Sequence, residues 1–348
     1  MQLTAPRVPA RPAAGAARPR IGFVGLGWIG QHRMRAIADT GAAEIVALAD
    51  PDAGALAAAA EAAPAAVPLA TLEEVLALAP DGVVIATPSA LHAAQTIAAL
   101  KAGAAVFCQK PLGRNAGEVA AAVAAARQAD RLLAVDLSYR QTAAIRAIGD
   151  WIAAGELGEV FAADLTFHNA YGPDKPWFYD LAQAGGGCVM DLGVHLLDLA
   201  LWLLGDPGVA SVSAALWAGG QRLGPHAQVP EDHAMATITL ATGAVLRLNC
   251  SWRLHLGADA LIACDFHGTN GGASFRNEGG SFYDFSAHLH RGTARLGHVG
   301  PPDAWGGRVA ADWARRLAQS RAFDAGADRL IPLAEALDGI YASAGIRR

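Results

Sequence analysis

The chain has four cysteines, Cys108, Cys188, Cys250 and Cys264, and no Cys-x-x-Cys spacing among them. That argues against a disulfide framework and fits reduced thiols in a cytoplasm. Charge is also scarce: 17% of residues are charged and the formal net charge is −5. No basic excess points to nucleic acid. A clean apolar span is missing too. The longest strongly apolar helix candidate, Cys188 to Gly205, carries Asp191, His195 and Asp198, so it reads as buried in protein rather than lipid, with no membrane partner. Residues 1–19 are rich in Ala, Pro and Arg without an apolar h-region, which predicts a disordered tail and not a signal peptide. No internal repeat is visible.

What the chain does have is length and alternation. Its 348 residues, 53% of them hydrophobic, suffice for two domains with separate cores. From residue 20 to about 140, short apolar runs (20–25, 44–49, 66–69, 82–86, 104–108 and 132–137) alternate with helical patterns (71–79, 89–102 and 115–129). This is the mark of a doubly wound parallel sheet, an α/β domain over 20–140. Thr71 and Glu74 form a candidate capping box. Beyond residue 140 the pattern changes. A helix at 142–154 and a strand at 159–168 lead to a polar, aromatic loop, then to strand-like runs at 209–217, 233–240, 244–253 and 260–267. With closing helices at 303–320 and 332–345, this predicts an α+β domain over 141–348 built on a large, mostly antiparallel open sheet.

The first run feeds a glycine turn, Gly25-Leu26-Gly27-Trp28-Ile29-Gly30. In a strand–turn–helix, the first glycine makes the turn, the second admits a pyrophosphate to the backbone, and the third lets helix and strand pack closely. Free N–H groups at the helix start then face the phosphates. A second strand ends at Asp50, about 20 residues on, where a carboxylate can hold an adenosine ribose. Two further strand ends carry polar residues. Thr87-Pro88 closes one and should lie beside the cofactor, while His92 either faces the cofactor or caps its helix. Gln109-Lys110-Pro111 closes the other, and the proline keeps Lys110 extended, placed as a catalytic cation or simply exposed at a turn.

In the second half, Asp191, His195 and Asp198 fall at i, i+4 and i+7 among apolar residues. On a regular helix all three share one face. Three readings stay open: a structural polar network, a metal site on Asp191 and His195, or an acid–base site in which a carboxylate orients His195 and raises its pKa. Asp198, further along, reads as structural.

With these four elements the chain resembles the glucose–fructose oxidoreductase/inositol dehydrogenase/MocA oxidoreductases. The likeness rests on Gly25-Leu-Gly-Trp-Ile-Gly30, Thr87-Pro-Ser-Ala-Leu-His92, Gln109-Lys110-Pro111 and Gly186-Gly-Cys-Val-Met-Asp191-Leu-Gly-Val-His195-Leu-Leu-Asp198, and the closing Leu337-Asp-Gly-Ile-Tyr-Ala-Ser343 is similar to the family's last helix. The resemblance implies a Rossmann domain, and a second domain whose open sheet forms a homodimer or homotetramer. It also implies NAD(P)-dependent chemistry at a hydroxyl or carbonyl carbon of a sugar, sugar derivative or cyclitol. Lys110, Asp191 and His195 map onto the family's catalytic residues. The family usually has Glu where this chain has Gln109, which keeps an acceptor that could still touch the nicotinamide ribose of the cofactor but loses the charge that helps hold Lys110 protonated.

The expected mechanism makes His195 the base in oxidation and the acid in reduction, with Lys110 holding the reacting oxygen and Asp191 orienting substrate or histidine. Asp50 should favour NAD over NADP by repelling a 2′-phosphate. Tyr139, Arg140, Asn169, Tyr171 and Trp177 are candidate substrate contacts, alongside Lys110, Asp191 and His195, and no metal is expected. A non-catalytic dinucleotide sensor and a metal-dependent lyase or hydrolase remain the alternatives.

Overall fold

The computed structural model describes residues 18–346; most of the expected tail, residues 1–17, lies outside the described residues. The first domain is a six-stranded sheet. Its strands are β1 (Arg20–Val24), β2 (Glu44–Ala49), β3 (Val67–Leu69), β4 (Gly82–Ile85), β5 (Ala105–Cys108) and β6 (Leu133–Val135), in the order 3-2-1-4-5-6. Every pairing is parallel. Helices α1 (Trp28–Ala38), α2 (Ala53–Ala62), α3 (Leu72–Ala77), α4 (Ser89–Lys101) and α5 (Ala116–Ala129) connect the strands. The strand order reverses between β1 and β4, which opens a crevice at the carboxyl ends of the sheet. The Thr71–Glu74 capping box starts α3 as expected. Helix α2 was not legible from periodicity, because its residues are mostly alanine and only Ala59 is fully buried. Asp52 starts it, accepting a hydrogen bond from the Ala55 N–H at 2.7 Å.

A 3-10 turn at Ser138–Gln141 leads to α6 (Ala143–Ala153), β7 (Val160–Asn169) and a short α7 (Leu181–Ala184). A π-helical turn, Val189–Gly193, then runs into α8 (Val194–Leu203). Eight more strands follow: β8 (Val209–Ala218), β9 (Gln221–Arg222), β10 (His233–Leu240), β11 (Val245–Ser251), β12 (Ala260–Gly268), β13 (Gly272–Asn277), β14 (Phe285–Arg291) and β15 (Ala294–Val299). With β7 they form a nine-stranded sheet, order 15-14-13-12-7-11-10-8-9, antiparallel except where β7 meets β11. Alternation sets its two faces. In β10, Ala234, Ala236, Ile238 and Leu240 are buried, while Met235 and Thr237 are exposed. The inner face packs on α8 and on α10 (Leu330–Ser343).

Helix α9 (Arg308–Leu317) amends the expected division at residue 140. Its Trp313, Ala314 and Leu317 share a core with Ile21, Phe23 and Phe107 of the first sheet, and Trp313 meets Phe107 at 5.7 Å between centroids. The chain thus returns to the first domain late. The apolar stretch Leu181–Leu203 is long enough to cross a membrane by length and composition, yet 89% of its apolar 18-residue window is buried inside the protein.

Candidate active site

A cleft of about 1080 Å³ runs from the glycine turn across the ends of β4, β5 and β6 to the π-helical turn. At the first end, Gly25 has φ +89, and a Cβ there would lie 2.5 Å from the Ala86 backbone. A Cβ on Gly30 would lie 2.1 Å from the Gly25 carbonyl oxygen, so α1 sits directly on the turn. Around a Cβ on Gly27 there is nothing within 4 Å; it would project into the cleft. Gly27 caps α1 without a side chain, and Gly27, Trp28 and Ile29 line the cleft. Uncapped N–H groups beside open space suit a pyrophosphate. Leu26 and Gly30, expected at the cofactor, are buried scaffold instead of cleft wall. The Leu26 N–H donates to Asp50 Oδ2 at 2.6 Å, and the Asp52 N–H to Asp50 Oδ1 at 2.8 Å, which orients the Asp50 carboxylate beside the turn. Ala70, Thr71, Leu72 and Glu73 complete this end of the cleft.

Thr87 and Pro88 line the middle of the cleft, with the Thr87 hydroxyl donating to Gln95 Oε1 at 2.7 Å. His92 is not free to serve a ligand through its nitrogens. Nδ1 lies 2.7 Å from the Pro111 carbonyl oxygen and Nε2 2.7 Å from that of Thr87. The ring is a strut between two strand ends, and burial pushes its pKa down against the pull of the two carbonyls.

The reactive end joins both domains. Lys110 Nζ donates to Asp191 Oδ1 at 2.7 Å and to the Asp191 carbonyl oxygen at 2.6 Å. The indole N–H of Trp252 donates to Asp191 Oδ2 at 3.0 Å. An ammonium has three N–H groups, so one remains for a ligand. His195 lies in the same wall, its ring 4.9 Å from that of Tyr139. Its Nδ1 is buried without a hydrogen-bond partner among the described residues. Asp191 does not pair with it, and the expected rise of its pKa is reversed. Burial first, then the Lys110 and Arg33 cations, push the His195 pKa well below 6.5, because each disfavours the imidazolium. Asp198, further along the segment and past the π-helical turn, is not in the cleft wall and forms a bidentate pair with Arg140, in keeping with a structural part.

Of the expected substrate contacts, Tyr139 and Trp177 line the cleft. Arg140 does not, because Asp198 occupies its guanidinium and Trp202 stacks beneath it at 5.5 Å. Asn169, at the end of β7, has a buried Oδ1 and lies outside the cleft wall, and Tyr171 is exposed beside Phe282. Sequence reasoning missed Arg33, Asp136, Tyr283 and Trp305 in the wall. Asp136 ends the run after β6, a strand-end signal like that of Thr87. The others carry no local signal. Among the described residues, no group of three or more His, Cys, Asp or Glu side chains could hold a metal.

The chain matches two family models. Residues 19–137 match one described as the oxidoreductase family, NAD-binding Rossmann fold, and residues 145–274 match the GFO/IDH/MocA C-terminal domain. It is 30% identical over 293 residues to D-apiose dehydrogenase of Paraburkholderia graminis, covering 81% of this chain and 73% of that protein. It is 32% identical over 199 residues to 1,5-anhydro-D-fructose reductase of Ensifer adhaerens, where the match spans 57% of each chain. Among solved structures, levoglucosan dehydrogenase in complex with NADH and levoglucosan superposes with a TM-score of 0.79 at 22% identity, covering 94% of this chain and 97% of that one. That likeness carries the fold: a parallel Rossmann sheet joined to a mostly antiparallel nine-stranded one. On the two domain matches and the D-apiose dehydrogenase alignment, the chain belongs to the Gfo/Idh/MocA oxidoreductase family.

Proposed function

We propose that the protein is a nicotinamide-dependent dehydrogenase or reductase acting on a hydroxyl or carbonyl carbon of a sugar, sugar derivative or cyclitol, with NAD preferred over NADP. The observation that carries this reading is the Lys110–Asp191 link beside His195, at the far end of a cleft that begins at the glycine turn. When bound there, the nicotinamide supplies the carbon that accepts or returns hydride. The remaining Lys110 N–H donates to the substrate oxygen and stabilises alkoxide charge as it develops. His195, held neutral by burial and by two cations, is ready to take the hydroxyl proton in oxidation. In the reductive direction the same low pKa makes it a ready proton donor once charged. Asp191 positions the lysine rather than the histidine. Trp177 offers an apolar plane to a sugar ring, and the Asp50 carboxylate disfavours a 2′-phosphate.

The first test is a screen of sugars, polyols and sugar acids with NAD and with NADP, following absorbance of the reduced nicotinamide. Turnover with one substrate class, lost in Lys110→Ala and His195→Ala, supports the assignment. Near-normal turnover in both variants would falsify it, and binding of the dinucleotide with no turnover on any substrate would favour the sensor reading. The exposed outer side of the nine-stranded sheet, including Met235 and Leu261 at 50% and 42% exposure, supports a homodimer or homotetramer through that face. The four cysteines, all buried free thiols, are in keeping with a cytoplasmic enzyme.

A further inference from the structure

Gln109, expected at the cofactor, belongs to a buried polar group whose other members, Arg33 and Asp136, have no assigned role. Arg33 of α1 donates from Nε to Asp136 Oδ2 at 2.5 Å, and Gln109 donates from Nε2 to the same oxygen at 2.5 Å. Arg33 Nη1 also lies 2.8 Å from His32 Nδ1. Arg33, Gln109 and Asp136 are 5%, 8% and 1% exposed, and all three line the cleft. The other carboxylate oxygen, Asp136 Oδ1, is buried with no hydrogen-bond partner among the described residues. An unpartnered buried carboxylate oxygen costs stability, and a local rule broken at a cleft points to function.

A carboxylate only accepts hydrogen bonds. Opposite the Arg33–Asp136 ion pair, Gln109 must therefore present its NH₂, which leaves its Oε1 as the free end, without a protein partner among the described residues. We propose that Asp136 and Arg33 are positioning residues that lock the Gln109 amide with its oxygen toward the cleft. A contact to the ribose on the nicotinamide side is what the family resemblance already implies for position 109; the Arg33–Asp136 pair adds that the acceptor offered there is an uncharged amide oxygen held in one orientation. The negative charge sits one layer deeper, on Asp136. A glutamate at 109 would set two carboxylates against each other at hydrogen-bond distance, so Gln109 and Asp136 are a matched pair. This inference rests on the dinucleotide reading of the cleft.

Direct binding tests it without turnover. NADH affinity is measured by nicotinamide fluorescence and ADP affinity by calorimetry, on the full chain, with thermal melting of each variant. Gln109→Glu should weaken NADH by about tenfold, a coupling usual for contacting residues, and leave ADP unchanged. Adding Asp136→Asn to it should restore NADH to within about threefold, because the donor and the charge have traded places. Gln109→Leu introduces no charge and keeps the Arg33–Asp136 pair; it should also weaken NADH, by several-fold, so the inference stays testable if Gln109→Glu does not fold. Wild-type NADH affinity in Gln109→Leu, or in Gln109→Glu, overturns the proposal alone. So does a double variant no better than Gln109→Glu. If the unmodified protein binds neither NADH nor ADP, the dinucleotide reading falls, and this inference with it.

Discussion

Asp191 and Asp198 stand on one apolar segment, and each meets a cation from outside it: Lys110 in the first case, Arg140 in the second. The chemistry of the two pairs is nearly the same and their surroundings are not. Arg140 grips Asp198 with two parallel hydrogen bonds, and Trp202 covers the guanidinium face. The fork geometry consumes both carboxylate oxygens, so little remains for a ligand. Lys110 spends two N–H groups on one residue and keeps a third at the cleft, while Trp252 holds the far oxygen of the same carboxylate. A saturated pair is architecture, and an unsaturated pair with a rigid counter-ion is a tool. The difference is made by position along the helix and by arginine against lysine.

Breaking the two pairs should therefore give opposite phenotypes. Lys110→Ala should lower kcat by about a thousandfold and shift the melting temperature little; comparable loss of stability and activity would erase the distinction. Arg140→Ala should do the reverse. Removing Arg140 leaves Asp198 buried without its hydrogen-bonded cation, at a cost of about 3 kcal/mol, read by urea unfolding, while KM for substrate in the folded fraction stays near the wild-type value. A large KM rise with unchanged stability would return Arg140 to the substrate site. Trp252→Phe keeps the ring packing and removes the N–H to Asp191. It should cost about tenfold in kcat with a modest stability change, and wild-type kcat would mean that Lys110 alone positions the carboxylate. The smallest effect is in the pH profile. Because the His195 pKa lies below 6.5 and oxidation needs the neutral ring, kcat/KM for oxidation should hold as pH falls through 6.5 and decline only below it. An acid limb centred above 6.5 would assign the base to another group.

Much of the fold was legible because its signals are local. The strand ends, the glycine turn, the Thr71–Glu74 capping box and the helix after it each depend on a few adjacent residues. Helix α2 escaped because alanine carries no amphipathic stripe. Strands β13 to β15 escaped because they are short and rich in Gly, Arg and His, and gain their order from pairing with β12 and with one another. In the site, Lys110, Asp191 and His195 stood out as polar residues in apolar or strand-end settings. Trp252 did not, since nothing around it in the sequence marks a tryptophan whose N–H reaches a carboxylate 61 positions away. Arg140, Asn169 and Tyr171 all read as substrate contacts, because a polar residue in or beside a loop has the same sequence appearance whether it faces a cleft, a partner or solvent.

The sequence by itself determined the α/β alternation, the dinucleotide turn with Asp50, and the residue types available for proton transfer. Backbone geometry and hydrogen-bond caps act over a few residues, so their code is short-range. Only the tertiary structure decided which carboxylate serves which cation, that His195 is driven neutral and not charged, and that Gln109 answers to Asp136. Those outcomes depend on burial and on interactions between groups far apart in the chain, such as Arg33 and Asp136, 103 positions apart. There the energies are set by what surrounds each charge and not by its neighbours along the chain.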